Sequence, residues 1–234
     1  MVLLLAIAVM LSVFSGSLLV ELLGHFGVAG FKTQDDAGSV LVATLCFHGA
    51  AIVAVIIFLK LHDIGWREAL GLQNDNWKLQ LLLAVTVLAA AFPVMFGLKI
   101  VSVIALHNIG WSVDDQRAVE MFSSVKSGWL RVYLGFFAVV IAPVAEEFIF
   151  RGILYSTAKK LGWPTFGWVG VSLLFAIVHF NAPIFLPLLV LALALTWLYE
   201  KTEGLFAPIM AHGLFNAVNL LLLFHMQHAG QAHP

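Results

Sequence analysis

The sequence predicts an all-α fold, a multi-pass transmembrane helical bundle of about seven to eight spans around a polar intramembrane cavity. Of the 234 residues, 62% are hydrophobic and only 11% are charged, whereas soluble domains usually carry about 25% charged residues. The apolar residues form long stretches, and roughly 20 of them are enough to cross a bilayer. The alternating pattern of membrane β-barrels is absent. Lipid offers the backbone no hydrogen-bond partners, so every span is expected to be helical.

Seven stretches have the length and composition of a span: residues 2–23, 38–60, 79–105, 129–157, 164–181, 184–200 and 205–225. The first begins "MVLLLAIAVML" and lacks the basic residues that open a signal peptide, so we expect a membrane helix there. No linker or repeat divides the chain, which predicts a single domain over residues 1–234 with a motif-bearing core at about 129–225. The compact length favours an integral multi-pass protein of a prokaryotic cell membrane.

Two longer connections separate the spans. Residues 61–78 read "LHDIGWREALGLQNDNWK", with a tryptophan near each end, as is typical of a segment at the membrane interface. Residues 106–128 are expected to hold a short amphipathic helix that starts near Asp114. The net charge of −1 gives no reason to expect a nucleic-acid partner. The single cysteine, Cys46, excludes an internal disulfide and a cysteine-based metal site.

Three charges interrupt the fourth span in the stretch "APVAEEFIFRG", residues 142–152. Each ionised residue at mid-membrane costs about 2.5–3.5 kcal/mol on insertion scales. Glu147 and Arg151 are four residues apart, which predicts a salt bridge on one helix face. Glu146 is rotated by about 100° from Glu147 and has no obvious partner on its own helix. Pro143 removes a backbone hydrogen bond one turn earlier and is expected to loosen the helix. The plain alternative is a buried ion pair that only fixes helix packing.

Two polar pairs follow on later spans. "FAIVH" places Phe175 and His179 four residues apart, and "HGLFN" does the same for His212 and Asn216. A single intramembrane histidine most often bonds a neighbouring helix, but two histidines, an asparagine and an unpaired glutamate on three spans favour a catalytic site. Desolvation makes a carboxylate a stronger general base, so Glu146 is the candidate that takes a proton from water.

In this interpretation His179 holds the water, and His212 and Asn216 donate hydrogen bonds to a tetrahedral oxyanion. No serine or cysteine is placed as a nucleophile. Glu146, His179 and His212 are also suitable ligands for zinc or another divalent metal, although no HExxH sequence is present. Spacing alone leaves metal-bound and carboxylate-activated water as alternatives.

The three motifs together resemble the signature of the CAAX-protease and bacteriocin-processing family, the Abi-type intramembrane proteases related to the Ras-converting CAAX endopeptidase. The motifs are Glu146-Glu147-x-x-x-Arg151, Phe175-x-x-x-His179 and His212-x-x-x-Asn216, within residues 140–220. "GWREALGL" at 65–72 resembles the connection that often precedes the core in this family.

The resemblance implies an intramembrane endopeptidase in which Glu146 and His179 activate water and His212 and Asn216 form the oxyanion site. Glu147 and Arg151 would support them. A glutamate mechanism without a metal fits the best-understood members of the family, so the resemblance favours a site that requires no cofactor over a metal-dependent one. The implied partners are membrane lipid and a peptide or protein substrate, which in eukaryotic relatives is lipidated. The alternatives are a non-catalytic membrane scaffold or bacteriocin immunity protein with the same fold, and a proton-coupled carrier. The chain shows no repeat halves of the type that carriers have.

Overall fold

The structure is a computed structural model that describes residues 2–28, 30–31, 37–73, 76–111, 125 and 127–231. All the regular secondary structure in these ranges is helical, which confirms the predicted class. The α-helices are α1 Val2–His25, α2 Ala37–Thr44, α3 Ala50–Leu61, α4 Trp66–Ala69, α5 Trp77–Asn108, α6 Gly128–Phe136, α7 Ala142–Glu147, α8 Ser156–Lys160, α9 Pro164–Ile177, α10 Ala182–Thr202 and α11 Phe206–Gln231. Three π-helical segments continue them: π1 Leu45–Gly49, π2 Phe137–Ile141 and π3 Phe148–Tyr155.

Four helical stretches in the described ranges are long and apolar enough to cross a bilayer: Trp77–Asn108, Gly128–Lys160, Ala182–Thr202 and Phe206–Met226. Two further apolar helices, Ala50–Leu61 and Pro164–Ile177, are shorter than a span. The chain is therefore a helical membrane protein. The count of seven to eight spans and the polar cavity stay predictions, and the short helix expected near Asp114 lies outside the described residues.

The predicted span 164–181 is too long. Helix α9 ends at Ile177, and a turn that contains His179 follows it. The next helix begins early because Asn181 is its N-cap, with a side-chain oxygen that accepts a hydrogen bond from the Ile184 amide at 3.3 Å. His179 therefore stands in a turn between two helices rather than inside a helix.

The chain divides into two compact units, residues 1–65 with 121–137 and residues 66–120 with 138–234. In the first unit, helix α1 packs against α2, π1 and α3. The Ser12 hydroxyl donates to the carbonyl of Cys46 at 2.8 Å, and Cys46 is a free, half-buried thiol. In the second unit, helix α10 packs against α5, α9 and α11. Its buried face is apolar and includes Leu191 and Leu195.

The connection "GWREALGL" is anchored to the start of helix α11 in the second unit. The amides of Leu205 and Phe206 donate to the carbonyls of Ala69 and Leu70 at 3.1 and 3.2 Å. These amides precede or open the helix and have no partner within it, so the connection satisfies donors that would otherwise be unpaired. The Trp66 ring also packs edge-on against Phe148, with 5.7 Å between the ring centroids. The connection thereby contacts the residue that follows Glu147.

This anchor requires two glycines in contact. Gly71 has a φ of +68°, and a Cβ added there would lie 2.8 Å from the Cα of Gly204. A Cβ on Gly204 would likewise collide with the backbone of Gly71. Both obstacles are backbone atoms, which cannot move aside as a side chain can.

We predict that Gly204→Ala destabilises the folded protein by about 1–3 kcal/mol, the usual cost of overpacking. Thermal unfolding in detergent measures the loss. Gly170→Ala is the matched control, because its nearest contact would be the Phe166 ring at an ordinary 3.9 Å. Equal unfolding temperatures for the two variants would contradict the close approach.

Candidate active site

The predicted ion pair between Glu147 and Arg151 is confirmed. Arg151 Nη1 donates to Glu147 Oε1 at 2.8 Å, and both side chains are 0% exposed. Glu147 ends helix α7 and Arg151 lies in π3, so the pair bridges the change of helical register between them. Burial of two charges in a membrane protein is tolerable only when each finds a partner. This pair provides the first partner for each.

Helix α10 supplies further partners to Arg151. Its Nη2 donates to the carbonyl of Ala192 at 2.9 Å, and its Nε donates to the Thr196 hydroxyl at 3.3 Å. The same hydroxyl donates to the Ala192 carbonyl at 3.0 Å. Sequence reasoning missed Thr196, although it is the only serine or threonine of α10 before Thr202. The guanidinium is thereby held in one orientation by two helices.

His212 connects both glutamates. Its Nδ1 lies 2.9 Å from Glu147 Oε1, and its Nε2 lies 3.8 Å from Glu146 Oε2. A carboxylate only accepts, so Nδ1 donates and Glu147 Oε1 receives two donors, one from Arg151 and one from His212. The sequence predicted His212 next to Asn216 as an oxyanion donor and did not reveal this bond to Glu147.

Glu146 differs from Glu147 in its surroundings. Its side chain is 18% exposed, and Oε2 is buried without a hydrogen-bond partner among the described residues. Glu147 is fully buried, and its Oε1 receives hydrogen bonds from Arg151 and His212, while its Oε2 is also without a partner among the described residues. The structure therefore separates the adjacent carboxylates, as the helix geometry predicted: one is paired, and the other is left with a histidine nitrogen beyond hydrogen-bond distance.

Phe175 joins the cluster to the second motif. Its ring is 0% exposed, with the Arg151 guanidinium carbon 5.0 Å from its centroid. The His179 and His212 rings lie 4.8 and 5.6 Å away, measured between centroids. An aromatic face attracts a cation at such distances. Phe175 therefore touches the arginine and both histidines, a role that its spacing from His179 did not reveal.

His179 reaches the cluster through Phe175. Its Nδ1 lies 2.7 Å from the Phe175 carbonyl oxygen, and a carbonyl only accepts, so Nδ1 carries the proton. The Nε2 of a neutral ring is then free to accept a hydrogen bond. Within the described residues, no hydrogen bond or ion pair joins His179 to Glu146.

Asn216 bonds the backbone rather than a site side chain. Its Nδ2 donates to the carbonyl of Ala138 in π2 at 2.8 Å. One of its two amide hydrogens is thereby used, and the second remains available to another acceptor.

Glu146, His179 and His212 are the metal ligands that the sequence offered as an alternative. Among the described residues, Glu146, His179 and His212 do not gather into a group of three that could hold a metal ion. The cluster contains the Glu146 carboxylate beside His212 and the buried ion pair of Glu147 and Arg151.

The chain is similar in sequence to a described protein family and to two bacterial proteins. Residues 128–218, which contain all three motifs, match the family described as Rce1-like, the type II CAAX prenyl endopeptidases. Over 211 residues the chain is 23% identical to "Putative membrane peptidase YdiL" of Bacillus subtilis, an alignment that covers 89% of this chain and 83% of that protein. Over 154 residues it is 30% identical to "UPF0177 protein YaiF" of Lactococcus lactis, covering 64% of this chain and 65% of that protein. No solved structure matches the chain.

These matches confirm the resemblance that the three motifs carried, and they support a membrane peptidase. The names of the relatives do not identify catalytic residues or a substrate for this chain.

We predict that Arg151→Ala lowers the yield of folded protein far more than Glu146→Gln does. Arg151→Ala leaves the fully buried Glu147 without its cation. Breaking a buried ion pair in this way lowers the free energy of unfolding by about 3–5 kcal/mol. Glu146→Gln preserves the side-chain shape and removes no ion pair shorter than 3.8 Å. Fluorescence-detected gel filtration in detergent compares the two, and equal yields would contradict the importance of the Glu147–Arg151 pair.

Proposed function

We propose that this protein is an intramembrane endopeptidase in which Glu146 activates the water that attacks a peptide bond. One observation carries the proposal: of two adjacent carboxylates in a membrane-spanning helix, only Glu147 is neutralised by a cation, and Glu146 is left beside His212. An unneutralised carboxylate in such a place is costly and is typically functional. The match of residues 128–218 to the Rce1-like endopeptidases gives the reaction class.

The proposed reaction begins with a water that Glu146 deprotonates as it attacks the scissile carbonyl carbon. The bond from water oxygen to carbon forms, and the carbonyl oxygen becomes an oxyanion. Glu146, now a carboxylic acid, returns the proton to the departing amine as the carbon–nitrogen bond breaks. The free Nε2 of His179 is available to accept a hydrogen bond from the same water.

His212 and Asn216 are the proposed oxyanion donors. Nδ1 of His212 already donates to Glu147, so Nε2 donates only when the ring is an imidazolium. Asn216 would contribute the amide hydrogen that Ala138 does not use. Glu147 acts through His212 and Arg151, and it is a positioning residue rather than a base.

The proposed substrate is a membrane-associated peptide or protein, either lipidated near the cleavage site or related to bacteriocin processing. The lipidated alternative follows from the description of the matching family. No cofactor is required in this proposal, since a carboxylate and histidines supply the base and the donors.

We predict that wild-type cells and cells with Glu146→Gln or His179→Ala differ in the processing of at least one membrane peptide. Both variants remove a group that activates water, so the uncleaved precursor should accumulate in both. Quantitative proteomics of membrane fractions, with enrichment of new N-termini, measures the difference.

Glu200→Gln is the matched control, because Glu200 lies near the end of α10, where it pairs with Lys159 and bonds Tyr155. It should process the peptide as the wild type does. If precursors are equally processed in wild type, Glu146→Gln and His179→Ala, the chain is not an active protease and the scaffold or immunity interpretation replaces it.

A second prediction concerns metal. Purified protein should keep its cleavage activity after treatment with EDTA and 1,10-phenanthroline, because the proposed base is a carboxylate. Elemental analysis provides an independent measurement. One zinc per chain in the wild type, absent from His179→Ala, would show that the metal alternative is correct.

A further inference from the structure

Pro143 creates a defect in the backbone of the helix that carries Glu146. It is buried and is the second residue of α7, the helix that directly follows π2. Proline has no amide hydrogen, so it leaves one carbonyl without its partner. In an α-helical register that carbonyl belongs to Val139, four residues earlier. In the π register of Phe137–Ile141, where bonds span five residues, it belongs to Ala138.

Both of these carbonyls face helix α11. Asn216 Nδ2 donates to the Ala138 oxygen at 2.8 Å. A Cβ placed on Gly213 would lie only 2.7 Å from the Val139 oxygen, so the backbone of α11 lies directly against that carbonyl. Gly213 and Asn216 are three residues apart and share a helix face. His212, which contacts both glutamates, directly precedes Gly213.

We propose that Asn216 replaces the hydrogen-bond donor that Pro143 removes, and thereby docks helix α11 onto π2. The donated hydrogen satisfies a carbonyl that otherwise has no water to bond within a membrane helix. The same contact fixes the distance between Glu146 on α7 and His212 on α11. Asn216 is thus a positioning residue, whatever its second amide hydrogen does. Only the catalytic consequence rests on the proposed function; the docking itself does not.

A double-mutant cycle between Asn216 and Pro143 tests the docking. Asn216→Ala should lower the midpoint of thermal unfolding in detergent by about 4 °C, as expected when one buried carbonyl loses its donor. Pro143→Ala restores an amide hydrogen that can serve the Ala138 or Val139 carbonyl. In the Pro143→Ala background, Asn216→Ala should lower the unfolding midpoint by less than about half as much. Such a difference shows that the two positions are energetically coupled.

Asn219→Ala is the matched control. Asn219 lies on the same helix, and its Nδ2 also donates to a backbone carbonyl, that of Phe215, at 2.8 Å. The Phe215 carbonyl is four residues earlier in the same helix and does not involve position 143. Asn219→Ala should therefore lower the unfolding midpoint by the same small amount with Pro143 or with Ala at that position. If Asn216→Ala yields no folded protein, recovery of folded yield in the double variant reports the same rescue.

Equal losses for Asn216→Ala in the two backgrounds would overturn the docking, since a side chain that only fills space or only binds an oxyanion gains nothing from a new amide at 143. The cycle needs no substrate, so its outcome is independent of whether the chain is a protease. With the peptide from the proteomic comparison, Pro143→Ala alone should lower kcat and leave KM unchanged. An unchanged kcat would overturn the claim that this contact places Glu146 against His212.

Discussion

The buried pair of Glu147 and Arg151 is the interaction on which the rest of the site depends. Neither side chain is exposed, so neither can exchange its partner for water. Arg151 therefore takes further acceptors from helix α10, and Glu147 takes a further donor from His212 on α11. Each added bond reduces the cost of a charge within the membrane. Three helices are held together as a result, and Glu146 is the carboxylate that these bonds do not include.

The chain segment that carries Glu146, Glu147 and Arg151 is an irregular helix. Two π-helices flank the short helix that contains both glutamates, and π-helical turns are often found at functional sites. In π3 the backbone is wider than an α-helix, yet Arg151 still reaches Glu147. Pro143 in α7 has no amide hydrogen, so the Ala138 carbonyl in π2 accepts a hydrogen bond from Asn216 on α11. The irregular backbone is tolerated here because protein groups, rather than lipid, contact its unpaired carbonyls.

Local geometry was predictable from the sequence, and contacts between helices were not. The spacing of Glu147 and Arg151 predicted their ion pair. The rotation of Glu146 away from them predicted that it would lie outside the pair. Both predictions follow from the pitch of one helix. The bond from His212 to Glu147 depends on how α11 rotates against α7, which no spacing encodes. Thr196 was missed because a lone threonine in an apolar helix usually bonds its own backbone. The end of α9 at Ile177 was missed because "VHFN" is apolar enough to read as a continued span, although Asn181 begins the next helix.

The three motifs have a physical reason to occur together. The first motif supplies a buried arginine and a buried carboxylate, and Pro143 interrupts the backbone three residues before it. The second supplies an aromatic ring that contacts the arginine and both histidines. The third supplies the histidine that bonds the buried carboxylate and the asparagine that bonds the interrupted backbone. Each motif alone would leave a charge or a hydrogen-bonding group without a partner within the membrane. Loss of one motif would therefore lower the stability of a protein that retains the other two. Their joint presence is therefore evidence of an assembled site, because the partners that satisfy each motif lie on the helices of the other two and on α10.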